Sequence, residues 1–370
     1  MPIKKLLFNL KYFDWQLLVV TVILISFGLA ALYSVALSQG QQDMINFRKQ
    51  IIFFALGLVL LIFFSLLDFN FLQSYSLLIY IGSALLLVLV LFLGVTLRGT
   101  TGWFEIFGVN FQPVEIAKLS LIFLLADIFS RQAKRKEFFS FIVLSGLSAL
   151  FLFLLVVLQP DFGSAMLLFL IWFLMLLIIG VKKSYLIILI TLIVLTSVLA
   201  WFFVFADYQK DRITTFLNPD LDPYGQGYHV RQAVIAVGAG GLFGRGLGFG
   251  SQSQLKFLPA AQTDFIFAVI AEELGLVGVF LVISAFGFLF YRLFVIAKKA
   301  PSDFALFVAL GIGTLFFSQL VINIGMNLGL LPVTGISLPF LSYGGSFLVT
   351  SLVMIGILES IAVSSTKYRV

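Results

Sequence analysis

The sequence predicts an all-α polytopic membrane protein, a bundle of about ten transmembrane helices, and three observations carry that prediction. Of its 370 residues 61% are hydrophobic and only 11% charged, against about 45–50% and about 25% in a soluble domain. The apolar residues, 44 Phe among them, come in long unalternated runs, whereas a membrane β-barrel would show short segments of alternating polarity. The 23 Lys and Arg lie in short clusters between those runs, so the net charge of +6 reflects membrane topology and not nucleic-acid binding. The absence of Cys excludes a disulfide framework, thiol catalysis and a thiolate metal site.

The apolar segments fall at 16–37, 48–67, 74–95, 113–130, 139–158, 162–180, 184–205, 264–297, 303–330 and 337–363. Each approaches or exceeds the roughly 20 residues a helix needs to cross a bilayer. The first follows Lys4, Lys5 and Lys11 like a secretory signal, but it is longer than the 7–15-residue apolar core of one and is read as a span. Segment 113–130 is short and opens at Gln112-Pro113, while 264–297 is long enough to tilt or protrude. Ten crossings put both termini on one side. With a cytoplasmic N-terminus the inner side holds Lys4, Lys5, Lys11, Arg131, Lys134, Arg135, Lys136, Lys182, Lys183, Arg292, Lys298, Lys299, Lys367 and Arg369, the majority of the cations. Between the seventh and eighth segments lies a large outer loop, residues 206–262, rich in Gly, Pro, Asn and Asp. An irregular connection of that length is usually functional. Within it, Val230 to Val237 reads as a short amphipathic helix at the interface. No repeat or compositional break divides the chain, so 1–370 reads as a single membrane domain.

Candidate chemistry starts from charges inside spans, which cost at least about 2.5–3.5 kcal/mol each to insert. Glu115 and Lys118 stand at i, i+3 on one helical face; they are either a structural ion pair or part of a substrate path. Thr263 and Asp264 open the eighth segment, where Asp264 is either an N-cap or a partly desolvated carboxylate at the mouth of the bundle, suited to general-base work. Glu272 lies about 12 Å further along the axis and Glu273 points away, so neither makes a paired-carboxylate site with Asp264; both are expected to be buried and hydrogen-bonded. The run Gly238 to Gly250 meets neither nucleotide-loop spacing. Its glycines serve turns and close approaches, with Arg245 available to an anion. His229 is the only histidine, which almost excludes a His metal cluster or a Ser-His-Asp triad; a lone loop histidine is usually solvated. Trp103 reads by default as an interfacial anchor, and Asp161 as the N-cap of the sixth segment. The outer cations Arg98, Lys210, Arg212, Arg231, Arg245 and Lys256, with Lys118 just inside the leaflet, are compatible with one anionic headgroup.

Four stretches, taken together, are more specific than any one motif: Gln112-Pro113 with Glu115 and Lys118; Gln159-Pro160-Asp161-Phe162-Gly163; Asn218 through Asp264; and Gly329 to Gly335 with Leu338 to Ser346. On these the chain resembles the SEDS family, the shape, elongation, division and sporulation proteins, over essentially its whole length. Ser251-Gln252-Ser253-Gln254-Leu255 and Phe257-Leu258-Pro259 resemble its elongation branch more than its division branch. The resemblance implies a peptidoglycan glycosyltransferase that polymerises lipid II at the outer face of the bacterial cytoplasmic membrane, alongside a class B penicillin-binding protein. It implies that Asp264 is the essential aspartate, that Glu115 and Lys118 are a functional pair, and that Trp103 matters. The chain departs from the pattern at Ala260 and Gln262, where the family usually has Glu and His, and at Ser337 and Phe347.

The expected reaction is inverting. The acceptor GlcNAc 4-hydroxyl attacks C1 of the donor MurNAc, Asp264 takes the proton, and undecaprenyl diphosphate leaves. The leaving group needs charge stabilisation, from Lys118, Arg212, Arg245, Lys256 or a divalent cation such as Mg or Mn. The rivals are a lipid II flippase or carrier, expected to show discontinuous helices and a midplane site, and a noncatalytic scaffold of the elongation or division machinery.

Overall fold

The computed structural model describes residues 11–39, 41–97, 99–106, 108–132, 138–203 and 207–367. Lys4, Lys5, Arg98, Lys134, Arg135, Lys136 and Arg369, invoked above, lie outside them. The chain runs α1 (Trp15–Gln39), α2 (Gln41–Leu66), α3 (Phe69–Ser74), α4 (Ser76–Leu93), β1 (Val95–Leu97), β2 (Thr100–Ile106), β3 (Val109–Phe111), α5 (Pro113–Gln132), α6 (Phe138–Val157), α7 (Phe162–Ile179) and α8 (Lys183–Phe203). It continues through α9 (Asp207–Leu217), α10 (Gln226–Ala239), α11 (Ser251–Gln254), α12 (Ile266–Lys298), α13 (Asp303–Asn327) and α14 (Gly345–Lys367).

Among the described residues ten helices reach 18 residues or more and match the ten predicted segments. Nine are apolar enough to cross a membrane; α5 is the exception, because Glu115, Lys118, Asp127 and Arg131 interrupt it. Its place in the bundle shows how it is tolerated. From Pro113 to Ser130 every residue except Ile116 and Ile128 is buried, with α4 packed on one side and α13 on another. A helix that faces protein on all sides does not present its charges to lipid. Around it α14 packs along α2, α12 along α1 and α6 along α7. By contrast, α8 buries none of its most apolar stretch.

Two helix starts and several elements differ from expectation. Helix α2 begins at Gln41 rather than near 48, and α14 at Gly345 rather than near 337, because Leu330 to Gly344 forms an irregular connection. The all-α prediction misses a small antiparallel sheet, ordered β1-β2-β3, between α4 and α5. Leu97 pairs with Thr100 and Ile106 with Val109, so each connection is two residues long, with Gly99 and Gly108 at positive φ as such tight hairpins require. The predicted helix at 230–237 exists, extended to α10. The long eighth segment does not run as one rod: it breaks at Gly275, whose φ of 66° and ψ of −164° only glycine adopts readily.

The break is filled by the glycine-rich loop. Arg245 and Gly246 amides donate to the Glu272 and Glu273 carbonyls, and Leu276 and Val277 amides donate to the Gly241 and Leu242 carbonyls. Gly240 and Gly244 lie where an added Cβ would meet the carbonyls of Ala271 and Glu273. Glu272, fully buried, accepts from the Gln252 and Ser253 amides at 2.7 and 2.9 Å, and Glu273 accepts from Ser34 Oγ at 2.6 Å and Gln254 Nε2 at 2.9 Å. These carboxylates are structural, as expected. At the opposite end of the bundle Arg292 pairs with Asp14, whose amide donates to Glu359 Oε2 at 2.8 Å, tying α12, α1 and α14 together.

Candidate active site

A cavity of about 400 Å³ opens at the end of the bundle where the sheet, the start of α7, helix α9 and the connection before α14 meet. Asp264 lines it. The residue is half-buried, and its backbone is fixed from several sides. Its carbonyl accepts from Asn323 Nδ2 and Asn327 Nδ2, both at 3.0 Å. Ser342 Oγ donates to the Thr263 carbonyl at 2.6 Å, and the Tyr343 amide donates to the Gln262 carbonyl at 2.8 Å. Neither Thr263 nor Asp264 is the N-cap: Phe265 holds that position without a side-chain capping bond, and the Ala268 amide is satisfied instead by Asn327 Oδ1 at 3.1 Å. The helix start is capped from α13, so the Asp264 carboxyl is not consumed by that task.

The other predicted residues divide. Glu115, Lys118, Trp103 and Arg212 all line the same cavity. Lys118 Nζ sits 2.7 Å from Glu115 Oε1 with both side chains nearly inaccessible, and 5.9 Å from the Phe347 ring centre. Trp103 donates from Nε1 to Thr100 Oγ1 at 3.1 Å, which orients its ring on the cavity wall. Arg212 projects from α9 and its buried Nε has no partner. Arg245 and Lys256 are not brought there: both are exposed, outside the cavity lining, and Arg245 Nε donates to the Ala239 carbonyl at 3.2 Å. Their charge lies with the loop that fills the break. Asp161 caps α7 through Ser164 N at 3.0 Å, as predicted, and also lines the cavity, accepting from Gln112 Nε2 at 3.1 Å.

Two lining residues escaped the sequence reading. Lys49, in the first half of α2, donates to the Gly108 carbonyl at 3.3 Å; at the edge of the predicted 48–67 segment it reads as an ordinary flanking charge. Gln319 is a buried amide inside an apolar helix, and its signal was its isolation in that run. His229 is not solvated as a lone loop histidine usually is. It is half-buried, its ring edge-on to Phe265 at 6.3 Å. Burial holds its pKa below the usual 6.5, against the opposing pull of Asp222 and Asp264.

Among the described residues no three His, Asp or Glu side chains converge to hold a metal ion. The donors present fit a Mg²⁺ or Mn²⁺ ion only where a bound diphosphate supplies most ligands and Asp264 or Asp161 adds one.

Fold and site together define an integral membrane protein whose end cavity brings a half-buried carboxylate, on a backbone held from several sides, together with positive side chains. The family model of the cell cycle proteins FtsW, RodA and SpoVE matches residues 14–367. The peptidoglycan glycosyltransferase MrdB of Escherichia coli (strain K12) is 34% identical over 97% of this chain and 96% of its own. The stage V sporulation protein E of Bacillus subtilis is 37% identical over 94% and 96%. Among solved structures, a chain of a peptidoglycan synthase complex that coordinates polymerization and crosslinking superposes with a TM-score of 0.81 at 29% identity, covering 95% of this chain and 98% of that one. The rod shape determining protein RodA of Thermus thermophilus superposes with a TM-score of 0.70 at 27% identity, covering 95% and 96%. The chain belongs to the FtsW/RodA/SpoVE family, the SEDS proteins.

Proposed function

We propose that this chain, a peptidoglycan glycosyltransferase, polymerises lipid II during cell elongation, with its cavity at the outer face of the bacterial cytoplasmic membrane and both termini in the cytoplasm. The observation that carries this reading is the placing of Asp264, partly desolvated and held by its backbone, on a cavity shared with Lys49, Lys118 and Arg212. The acceptor GlcNAc 4-hydroxyl gives its proton to the Asp264 carboxylate as its oxygen bonds to C1 of the donor MurNAc. The C1–O bond to undecaprenyl diphosphate breaks with inversion. Such a base contributes about 10²–10⁴ in rate. Because Lys118 is already matched by Glu115, the positive side chains left to meet the departing diphosphate are Arg212 and Lys49, neither in an ion pair among the described residues. A divalent cation bound by that diphosphate would add charge stabilisation. The membrane-embedded Phe and Leu surface accommodates the lipid tails. A class B penicillin-binding protein is the expected partner, consistent with the synthase complex this chain resembles.

The carrier reading gains one feature, the discontinuity of α12. That break is filled by residues 241–246 and does not line the cavity, which favours the transferase. The test is purified protein with its partner and lipid II. Asp264→Asn and Asp264→Ala should lower polymerisation by about 10² or more while the complex still assembles. Wild-type polymer from both variants would refute the base assignment, and headgroup translocation without polymer would favour the carrier.

A further inference from the structure

The glycine-rich loop that fills the break in α12 turns its backbone toward the protein and its large apolar side chains away from it. Gly244, Gly246 and Gly248 are half-buried, whereas Phe243 and Phe249 are 82% and 77% exposed, with Leu242 and Leu247 exposed beside them. A cluster of exposed apolar side chains in so short a stretch marks a contact surface. The depth at which it stands decides what it touches.

Two polar ties join α1 to α12. Asp14 pairs with Arg292 at one end, and Ser34 Oγ donates to Glu273 at 2.6 Å at the other. The ties are twenty residues apart in α1 and nineteen in α12, about 30 Å at 1.5 Å per residue, which is the thickness of a hydrocarbon core. Between them neither helix carries a charge. Trp15 and Tyr291 are exposed at the first level and Tyr33 at the second, as in the two aromatic belts of a spanning bundle. The loop is fastened at the second level, where the Gly248 amide donates to Ser34 Oγ at 2.9 Å and the Gly241 and Leu242 carbonyls hold the Leu276 and Val277 amides. Leu276, Val277 and Phe280 are themselves exposed on α12, so the patch continues the lipid-facing stripe of that helix.

Irregular backbone is tolerated at the edge of a bilayer where protein takes up its polar groups, and the break in α12 does so. Arg245 is exposed in the middle of the patch; its Nε is spent on the Ala239 carbonyl, and its terminal nitrogens have no partner among the described residues. A long cationic side chain at this level reaches lipid phosphate while its stem stays with the apolar chains. We infer that residues 242–249 form an anchor seated in the leaflet at the cavity end of the bundle, with Leu242, Phe243, Leu247 and Phe249 among the upper acyl carbons and Arg245 on a phospholipid phosphate. Because the same loop holds the break, the anchor fixes the first turns of α12, and Asp264 at their start, against the membrane.

The experiment uses the full chain, which has no Cys of its own, spin-labelled at single sites and then assembled with its transpeptidase partner in vesicles of phosphatidylethanolamine and phosphatidylglycerol. Labels at Phe243→Cys and Phe249→Cys are compared with Phe280→Cys as the lipid reference and Tyr224→Cys as the aqueous one. Collision with dissolved oxygen, which concentrates in lipid, is measured against collision with a water-soluble nickel chelate. Both loop labels should favour oxygen, as Phe280→Cys does. Loop labels that behave like Tyr224→Cys would put the patch in water, and labels shielded from both agents would put it under a protein; either result overturns the anchor. Arg245→Glu turns attraction to lipid phosphate into repulsion and should lower the oxygen-to-nickel ratio at Phe249→Cys by about twofold or more. A ratio that stays unchanged refutes the phosphate contact of Arg245.

Discussion

Lys118 and Glu115 are each buried and each is the other's charge partner, which makes them an unequal target for single and double substitution. Removing one partner leaves an uncompensated ion in a low-dielectric setting and should cost about 3–5 kcal/mol of stability. Lys118→Met with Glu115→Gln should recover most of that loss, so a thermal-melt double-mutant cycle separates the structural pair from the functional one. A double variant that folds like wild type but polymerises poorly assigns the pair to substrate handling, and one that regains activity makes it purely structural. His229 offers a second test. Its pKa is depressed by burial, so the unfolded chain binds the proton more readily, and stability should fall as pH drops through 6.5 toward the lower folded value. His229→Gln should flatten that acid dependence of the melting temperature, and an unchanged pH profile would show that the imidazole is not held neutral.

Among the elements, α12 departs furthest from what a reader of the sequence would draw. An apolar run of this length looks like one helix, because hydropathy reports burial and not backbone continuity. The break becomes visible only when the Gly238 to Gly250 segment is seen closing on it, a contact between stretches some thirty residues apart. Gly275→Ala should destabilise the protein by about 1–3 kcal/mol, since the added Cβ meets the Gly244 amide and the φ is left-handed. A variant with the wild-type melting temperature would mean the segment can run on as continuous helix. The sheet at 95–111 was more nearly legible: two-residue gaps ending in Gly99 and Gly108 between β-branched and aromatic residues are a hairpin signal. Apolar periodicity on either side drew attention away from it.

For the molecule as a whole, composition and charge clustering are enough to count the spans and to locate the irregular segment that feeds the site. Gathering Asp264, Lys118, Arg212 and Trp103 on one cavity was not readable from spacing, because they come from four distant elements. Charge inside a span or at its mouth singled out Lys118 and Asp264 one at a time, and the resemblance of motifs added Trp103. Lys49 and Gln319 carry no local motif and needed the fold. Orientation can be tested directly, since the chain has no Cys. Tyr224→Cys, at a site 94% exposed beside the cavity end, should react with an impermeant thiol reagent on intact cells. Asp303→Cys, exposed at the opposite end, should react only after permeabilisation, and the reverse pattern would invert the proposed topology.

The charged and largely buried α5 has a consequence for how the protein is made. Leaving the ribosome, this segment is too polar to partition stably into lipid alone, and α13, which shields much of it, is synthesised more than 150 residues later. Before then α4 packs along it, and α6 and α7, made next, join it more lightly. Biogenesis therefore does not suit a simple queue of independently inserted spans: the fourth needs shelter, from α4, then α6 and α7, or from the insertion machinery, until the ninth arrives.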